Sequence, residues 1–404
     1  MNEMRDILIV GGGLNGPALA LALARQGLGV TVIDALPEKA RRAADFDGRA
    51  YSLALASVRL LRAIGVWERV EEKAQPILQI KVSDGRAGEG PAPFFVQFDH
   101  GEIEEGPMGH MVEDRFLRRA LLDAMKDEPG ITRVTGTVES QEVTQSGMRL
   151  RLASGRDLTG RMIVGCDGRA SATAGRAGIA RTGWGYGQTA LVASVQHERP
   201  HGGVAHQFFM PPGPLAILPL PGNMSSIVWS ESDATAAGFA ALDDDEFMSV
   251  LRPRFGDFLG EISLRGKRFS YPLGLSVANR FVADRLVLVG DAAHGMHPIA
   301  GQGLNAGLRD VGALAEVVTQ AARRGEDFTA PDVLERYQRW RRFDTATLAM
   351  MTDVTNRLFS NDNPLLRLGR DLGLGAVNAL PGLRRGLIRE AAGLTGELPE
   401  LMRG

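Results

Sequence analysis

Three observations predict an α/β fold whose first half is organised by a parallel, nucleotide-binding sheet. A strand, a glycine loop, a helix, a second strand and an acidic residue follow one another over residues 6–34. Two later strands also run into polar turns, at Gly165-Cys166-Asp167-Gly168 and at Gly290-Asp291. Between those turns the sequence is dense in β-like runs, and after residue 305 it reads as helix. At 404 residues the chain is too long for one ordinary core, so two domains and an appendage are expected.

Taken in order, Asp6–Val10 is a short apolar strand. Gly11-Gly12-Gly13-Leu14-Asn15-Gly16 matches G-x-G-x-x-G, and Ala18–Arg25 reads as a helix of small residues and leucines. Gly29–Asp34 is the second strand. The complete Rossmann-type βαβ unit is far more specific than a lone glycine pattern. Gly11 permits the tight turn, Gly13 lets backbone approach a pyrophosphate, and Gly16 lets helix and strand pack closely. Asp34 is placed to accept bonds from ribose hydroxyls and to repel a 2′-phosphate, which points to FAD or NAD and away from NADP.

The stretch Glu38–Arg49 is basic and irregular, and Arg41, Arg42 and Arg49 are each able to reach a phosphate. A helix is expected over Ser52–Ile64, strands over 77–84 and 94–98, a helix over Glu113–Met125, and strands over 131–144 and 147–153. Asp167 ends a strand and is too polar for a core position, so it is a turn residue or a ligand contact. Cys166 reads as a small buried residue. Strands then recur at 191–196, 204–210, 215–219 and 225–229, followed by a helix over Asp243–Arg252 and a strand over 261–271. This strand-rich insert is expected to cover the ligand.

Arg285–Val289 is a strand that feeds Gly290-Asp291 and then the loop His294 to Asn305, where a helix begins that runs to about Arg324. Such a layout brings free backbone N–H groups up to an anion or an electron-rich ring. Asp291 is placed for a ribitol or ribose hydroxyl. Gly301 and Gly303 remove side chains that would hold a flat ligand off the backbone. An amphipathic helix spans Asp332–Phe359, and a Leu/Arg-rich tail follows over 364–394. That tail fits a lipid interface, and it fits packing on the protein or on a sister chain.

The totals exclude several classes. A net charge of −2 offers no electrostatic case for nucleic acid. The single cysteine rules out a disulfide framework, a thiolate zinc cluster and an intrachain dithiol centre. No apolar run reaches membrane-spanning length, and the first strand follows Met1 so closely that no signal peptide is expected. His294 and His297 form an H-x-x-H pair with no evident third ligand, so no metal is expected. One of the two is a candidate for helping to ionise a phenol.

With the glycine loop at 11–16, Asp167-Gly168 and Gly290-Asp291 in that order, nearly the whole chain resembles the single-component flavoprotein aromatic hydroxylases. Asp47-Gly48-Arg49-Ala50, Tyr271-Pro272-Leu273 and the run His294 to Asn305 are similar to the ubiquinone-biosynthesis hydroxylase branch. The resemblance implies a glutathione-reductase-like FAD domain (1–75, 106–182 and 280–328), a β-rich substrate domain (76–105 and 183–279) and a helical C-terminal region (329–404). It places Gly11, Gly13, Leu14, Asn15, Gly16 and Asp34 on the ADP half of FAD, with Arg42 and Arg49 by the phosphates. Val138 would offer backbone to adenine, and Asp291 would lie by the ribitol and pyrophosphate. Asp167 would lie between FAD and a passing NAD(P)H, and Arg115 near the flavin. Pro298, Gly301, Gly303, Leu304 and Asn305 would face the isoalloxazine ring.

The implied reaction is hydroxylation of a polyprenylated phenol by a flavin C4a-hydroperoxide formed from O₂ after reduction by NAD(P)H. The cofactor carries that chemistry, so no catalytic acid or base is assigned. A small soluble aromatic substrate and a non-catalytic flavin-binding subunit are the alternatives. The apolar residues Phe208, Phe209, Met210, Leu215, Ile217, Leu218 and Trp229 favour a greasy substrate. Composition points to a cytoplasmic-type enzyme, and the resemblance leaves open peripheral contact with the inner membrane and contact with other ubiquinone-biosynthesis proteins.

Overall fold

The opening strand Arg5–Val10 lies in the middle of a parallel sheet, between Val30–Asp34 and Asp157–Gly165. Ile131–Thr135 extends the sheet on one side and Leu286–Leu288 on the other. Ile7, Leu8 and Ile9 are buried, as near-continuous apolar runs must be when both faces of a parallel sheet are covered. Helix Asn15–Ala24 crosses one face, its residues buried from Gly16 onward, and touches helices Gln302–Arg323 and Asp114–Asp127. The computed structural model describes residues 4–42, 48–86, 90–296, 301–359 and 380–404.

A second sheet is mainly antiparallel and runs, edge to edge, His294–Gly295, Ile262–Ala278, Arg181–His197, Met224–Ser232, Gly213–Leu220, Val204–Met210, Gln79–Arg86 and Gly90–Asp99. Its edge strand is the continuation of the Gly290–Asp291 turn, with His294 opposite Val277 and Gly295 opposite Ser276. One backbone thus passes directly from the first sheet to the second. Ile262–Ala278 is a single strand that carries Pro272 within it, where the sequence pattern suggests a strand ending near Tyr271.

Two helices cover one face of this sheet. Asp233–Ala241 starts on a Ser232 cap, and Asp244–Phe255 on a reciprocal Asp243/Glu246 capping box. Leu191, Val195, Phe208, Met210, Leu215, Ile217, Ile227 and Trp229 form a core with Phe247, Leu251 and Phe255 beneath them. Most of the apolar strand residues read as favouring a greasy substrate are therefore core side chains, which do not discriminate between substrates. Side chains alternate between faces along a strand, and Phe208, Met210, Leu215, Ile217 and Trp229 all point at the helices. The opposite face carries Ala190, Val192, Ser194, Ala216, Leu218, Ser226 and Val228, and the Ser194 hydroxyl donates to the Gly48 carbonyl at 3.4 Å.

A small third sheet joins Ala50–Ala54, Gly109–Glu113 and Gln75–Ile77. The helix expected from Ser52 therefore begins only at Leu55. Ser52 and Leu53 pair with Met111 and His110, and that tertiary pairing overrides local helical periodicity. In the C-terminal region Pro331–Phe359 is a long helix. Helix Pro381–Ala391 is held to the body by Arg384–Glu102 and Arg389–Glu105 ion pairs and by buried Ile388. Among the described residues no helix is long and apolar enough to cross a membrane.

Candidate functional site

The three turns singled out in sequence meet at the carboxyl edge of the parallel sheet. Val10 is level with Ile33 on one side and Gly165 on the other, and Gly165 is level with Leu288. Gly11 N–H donates to the Ile33 carbonyl (2.8 Å), Cys166 N–H to Val10 (2.7 Å) and Val289 N–H to Gly165 (3.0 Å). Residues 11–16, Asp34, 166–168 and 290–291 therefore emerge side by side, at the position where open α/β sheets bind ligands.

The glycines divide by what stands beside them. A Cβ on Gly11 would sit 2.3 Å from the Cys166 carbonyl oxygen, and one on Gly16 would sit 2.0 Å from that of Gly11. Both are required by protein packing. A Cβ on Gly13 or Gly303 would meet no atom of the described residues within 4 Å, which leaves space beside them for a ligand. Helix Asn15–Ala24, with Leu14 at its N-cap, has no side-chain cap and no acidic residue in its first turn. Helix Gln302–Arg323 likewise starts without a side-chain cap, on Gly301 at φ 65°. Two uncapped helix N-termini offer N–H donors and positive dipole ends for an anion.

The acidic residues are already engaged. The Asp34 carboxylate receives a fork from Arg41 (2.7 and 3.0 Å) and the Leu36 N–H (3.0 Å), and it keeps acceptor capacity for hydroxyls. Arg42 instead pairs with Glu38 (2.6 Å) and Asp123 (2.7 Å), so Arg41 is the arginine at the ribose end. Asp167 accepts from the Ser171 hydroxyl and the Thr173 N–H (2.9 Å), which makes its carboxylate a brace for the next helix. Desolvation and the Asp167 and Asp310 carboxylates push the Cys166 thiol well above its usual range, leaving it neutral. Asp291 is half exposed, with Arg169 at 3.7 Å.

Arg49 lies 3.5 Å from buried Asp114, which Arg118 and the Tyr51 hydroxyl also contact. Arg115 pairs with Glu113 at 2.6 Å. Val138 begins a strand close to Asp34, whose carbonyl accepts from Gly136 N–H. Its own carbonyl takes a bond from Arg176 at 3.2 Å.

Asn305 is saturated by protein. Its oxygen accepts from Ala54 N–H and the Ser57 hydroxyl, and its nitrogen donates to the Ser52 and Gly301 carbonyls. It ties the helix start at Gly301 to Ser52, Ala54 and Ser57, and Leu304 packs beside it against the core. Asn15 also turns inward, its amide wedged against Gly290 and Gly307. His294 is buried and bonded to Asp310. Among the described residues no group of three or more His, Cys, Asp or Glu is placed to hold a metal. His297, Pro298 and Asp47 lie outside the described residues, as does the tail from 364 to 379.

Sequence reasoning missed Arg181. Its guanidinium donates to the Asp291 and Ala292 carbonyls and to both the carbonyl and hydroxyl of Ser276. An isolated arginine in a strand carries no local signal of such a role.

A family model described as an FAD binding domain matches residues 4–351. The chain belongs to this FAD-binding family. Within the family it is 46% identical to the ubiquinone hydroxylase UbiL of Rhodospirillum rubrum, over 100% of this chain and 94% of that protein. It is 36% identical to the 3-demethoxyubiquinol 3-hydroxylase of Escherichia coli, over 97% and 100%. The fold matches p-nitrophenol 4-monooxygenase PnpA from Pseudomonas putida, with a TM-score of 0.81, 18% identity and coverage of 98% and 100%. The open space beside Gly13 and Gly303, the two uncapped helices and the acceptor at Asp34 suit the pyrophosphate, flavin and ribose of FAD. The chain is an FAD-dependent monooxygenase.

Proposed function

We propose that the chain hydroxylates the ring of a polyprenylated phenol in ubiquinone biosynthesis, with NAD(P)H as reductant. The observation that carries this reading is the full-length identity of 46% to a ubiquinone hydroxylase, on a site whose turns suit FAD. Bound FAD supplies hydride acceptance and oxygen activation. This chain's residues do the rest. Gly13 and the two helix N-termini hold the phosphates and the ring, Asp34 takes ribose hydroxyls, and Asp291 is exposed beside the same edge. Arg181 and Asn305 keep the surrounding loops in shape. The first domain is proposed as 1–75, 106–182 and 280–328, with 76–105 and 183–279 covering it.

The finer location that goes with this reading is a cytoplasmic protein in peripheral contact with the bilayer, where such a substrate resides. Phe343, Met350, Met351, Val354 and Leu358 support it, being large apolar side chains exposed along one stripe of helix Pro331–Phe359. Contact with other ubiquinone-biosynthesis proteins is an alternative use of the same stripe.

The test is turnover. Holoprotein given NAD(P)H, O₂ and a prenylated phenol in detergent should yield a product heavier by one oxygen. Consumption of NAD(P)H with release of peroxide and no hydroxylated product from any prenylated phenol would refute the substrate class. Membrane contact is checked separately by co-sedimentation with anionic liposomes. A Phe343→Ser/Met350→Ser double variant that pellets like the parent would refute that contact.

A further inference from the structure

Behind the Gly290–Asp291 turn lies a buried side-chain network that the cofactor motifs do not explain. Asp310, on helix Gln302–Arg323, is fully buried. Its Oδ2 accepts from the Gly290 N–H at 2.9 Å and from His294 Nε2 at 2.6 Å, so one carboxylate holds both ends of the turn. Its Oδ1 accepts from Arg341 Nε at 2.6 Å. Arg341 is equally buried and comes from helix Pro331–Phe359, where its second nitrogen donates to Asp344 at 2.5 Å. Asp344 lies 3.9 Å from Arg309, which donates to the Gly393 and Thr395 carbonyls at 3.3 and 2.5 Å. An unbroken chain of contacts therefore leads from the flavin turn to the C-terminal segment.

Burial alone would raise the Asp310 carboxyl, but His294 and Arg341 outweigh it and hold it below the usual range. Asp310 is thus a carboxylate, able only to accept, so His294 carries its proton on Nε2. The turn is gripped from its other side as well. Arg181 holds the Asp291 and Ala292 carbonyls, and Asn15 presses on Gly290, whose φ is 64°. A trans peptide sets N–H opposite C=O, so fixing the Asp291 carbonyl on Arg181 turns the Ala292 N–H away from it. The orientation of the turn's donors is set jointly by Asp310, Arg181 and Asn15.

We propose that Asp310, held by Arg341, is a positioning residue for FAD, and that the C-terminal helical region is thereby a working part of the cofactor site. Asp310→Asn would set an amide N–H₂ against a donor and lose at least one charge-assisted bond. Its FAD Kd should rise about tenfold or more, with an altered visible spectrum and reduction potential of the bound flavin. Arg341→Lys keeps the charge but not the Nε geometry, and should shift the same readouts in the same direction; it also serves if Asp310→Asn does not fold. His294→Gln, which keeps a donor near the Nε2 position, should stay within about threefold of wild type in Kd, whereas His294→Leu should not.

Apoprotein melting is followed alongside, because a network that merely stabilises the core would lower apoprotein Tm alone. Wild-type FAD affinity, spectrum and potential in Asp310→Asn or, where that variant is unfolded, in Arg341→Lys would overturn the proposal. So would equal behaviour of His294→Gln and His294→Leu.

Discussion

The two large sheets use their strands in opposite ways. In the parallel sheet residues 7–10, 30–33, 162–165 and 286–288 are core, and the candidate ligand edge lies at their carboxyl ends, at Gly11, Asp34, 166–168 and Gly290. In the antiparallel sheet the ends are ordinary turns, and the division between core and working surface runs along every strand, residue by residue. Leu191, Ile227 and Trp229 lie under helices, while Val192, Ser226 and Val228 lie on the other face. The first kind of site can be altered one backbone position at a time. The second depends on which face a residue occupies.

The largest effects should separate glycines within one loop. Gly16→Val, whose Cβ would collide with the Gly11 carbonyl oxygen, should cost about 3 kcal/mol or more and leave little folded protein. Trp229→Ala, in the helix-covered core of the other sheet, should lower unfolding free energy by about 3–5 kcal/mol while leaving FAD Kd unchanged. Denaturant titration and flavin fluorescence together read both. If Trp229→Ala were stable but failed to turn over substrate, its face would have been assigned wrongly. Gly13→Val should do the reverse, with apoprotein stability close to wild type and FAD binding weakened roughly 100-fold, about 2.7 kcal/mol.

Smaller changes sharpen the contrast. Asp34→Asn loses a charged acceptor at the ribose end and should weaken FAD by about 2 kcal/mol, measurable by equilibrium titration. The third sheet offers a pH test. Burial lowers His110 from 6.5 to about 4, so the unfolded chain binds its proton first as pH falls. Stability is therefore lost between pH 6.5 and 4 and is fully present above that window. His110→Gln, neutral throughout, should reduce the loss over that window by about 3 kcal/mol in chemical denaturation at each pH. An unchanged pH profile would contradict this.

Legibility in sequence follows the same division. Gly11 to Gly16, Asp34 and the two later turns were readable because a backbone-built ligand edge needs particular residues at adjacent positions. Arg181, Asp310 and Arg341 were not, because each acts across a large sequence separation and occurs in an otherwise ordinary strand or helix. Arg41 and Arg42 were indistinguishable as a pair, since a one-residue step on a short helix decides which reaches Asp34. The apolar strands over 191–229 discriminate little between substrates, because composition cannot tell a face packed under helices from one turned to a ligand. Strand Ala50–Ala54 was hidden for a related reason: its partner, Gly109–Glu113, lies far along the chain.

The most direct measurement titrates FAD into apoprotein of the wild type, Gly13→Val and Gly303→Val in parallel, with flavin fluorescence and apoprotein melting recorded for each. The account predicts one FAD per wild-type chain, near-native melting in both variants, and weakened binding in both although the two glycines lie far apart in sequence. Wild-type FAD affinity in either folded variant would contradict it.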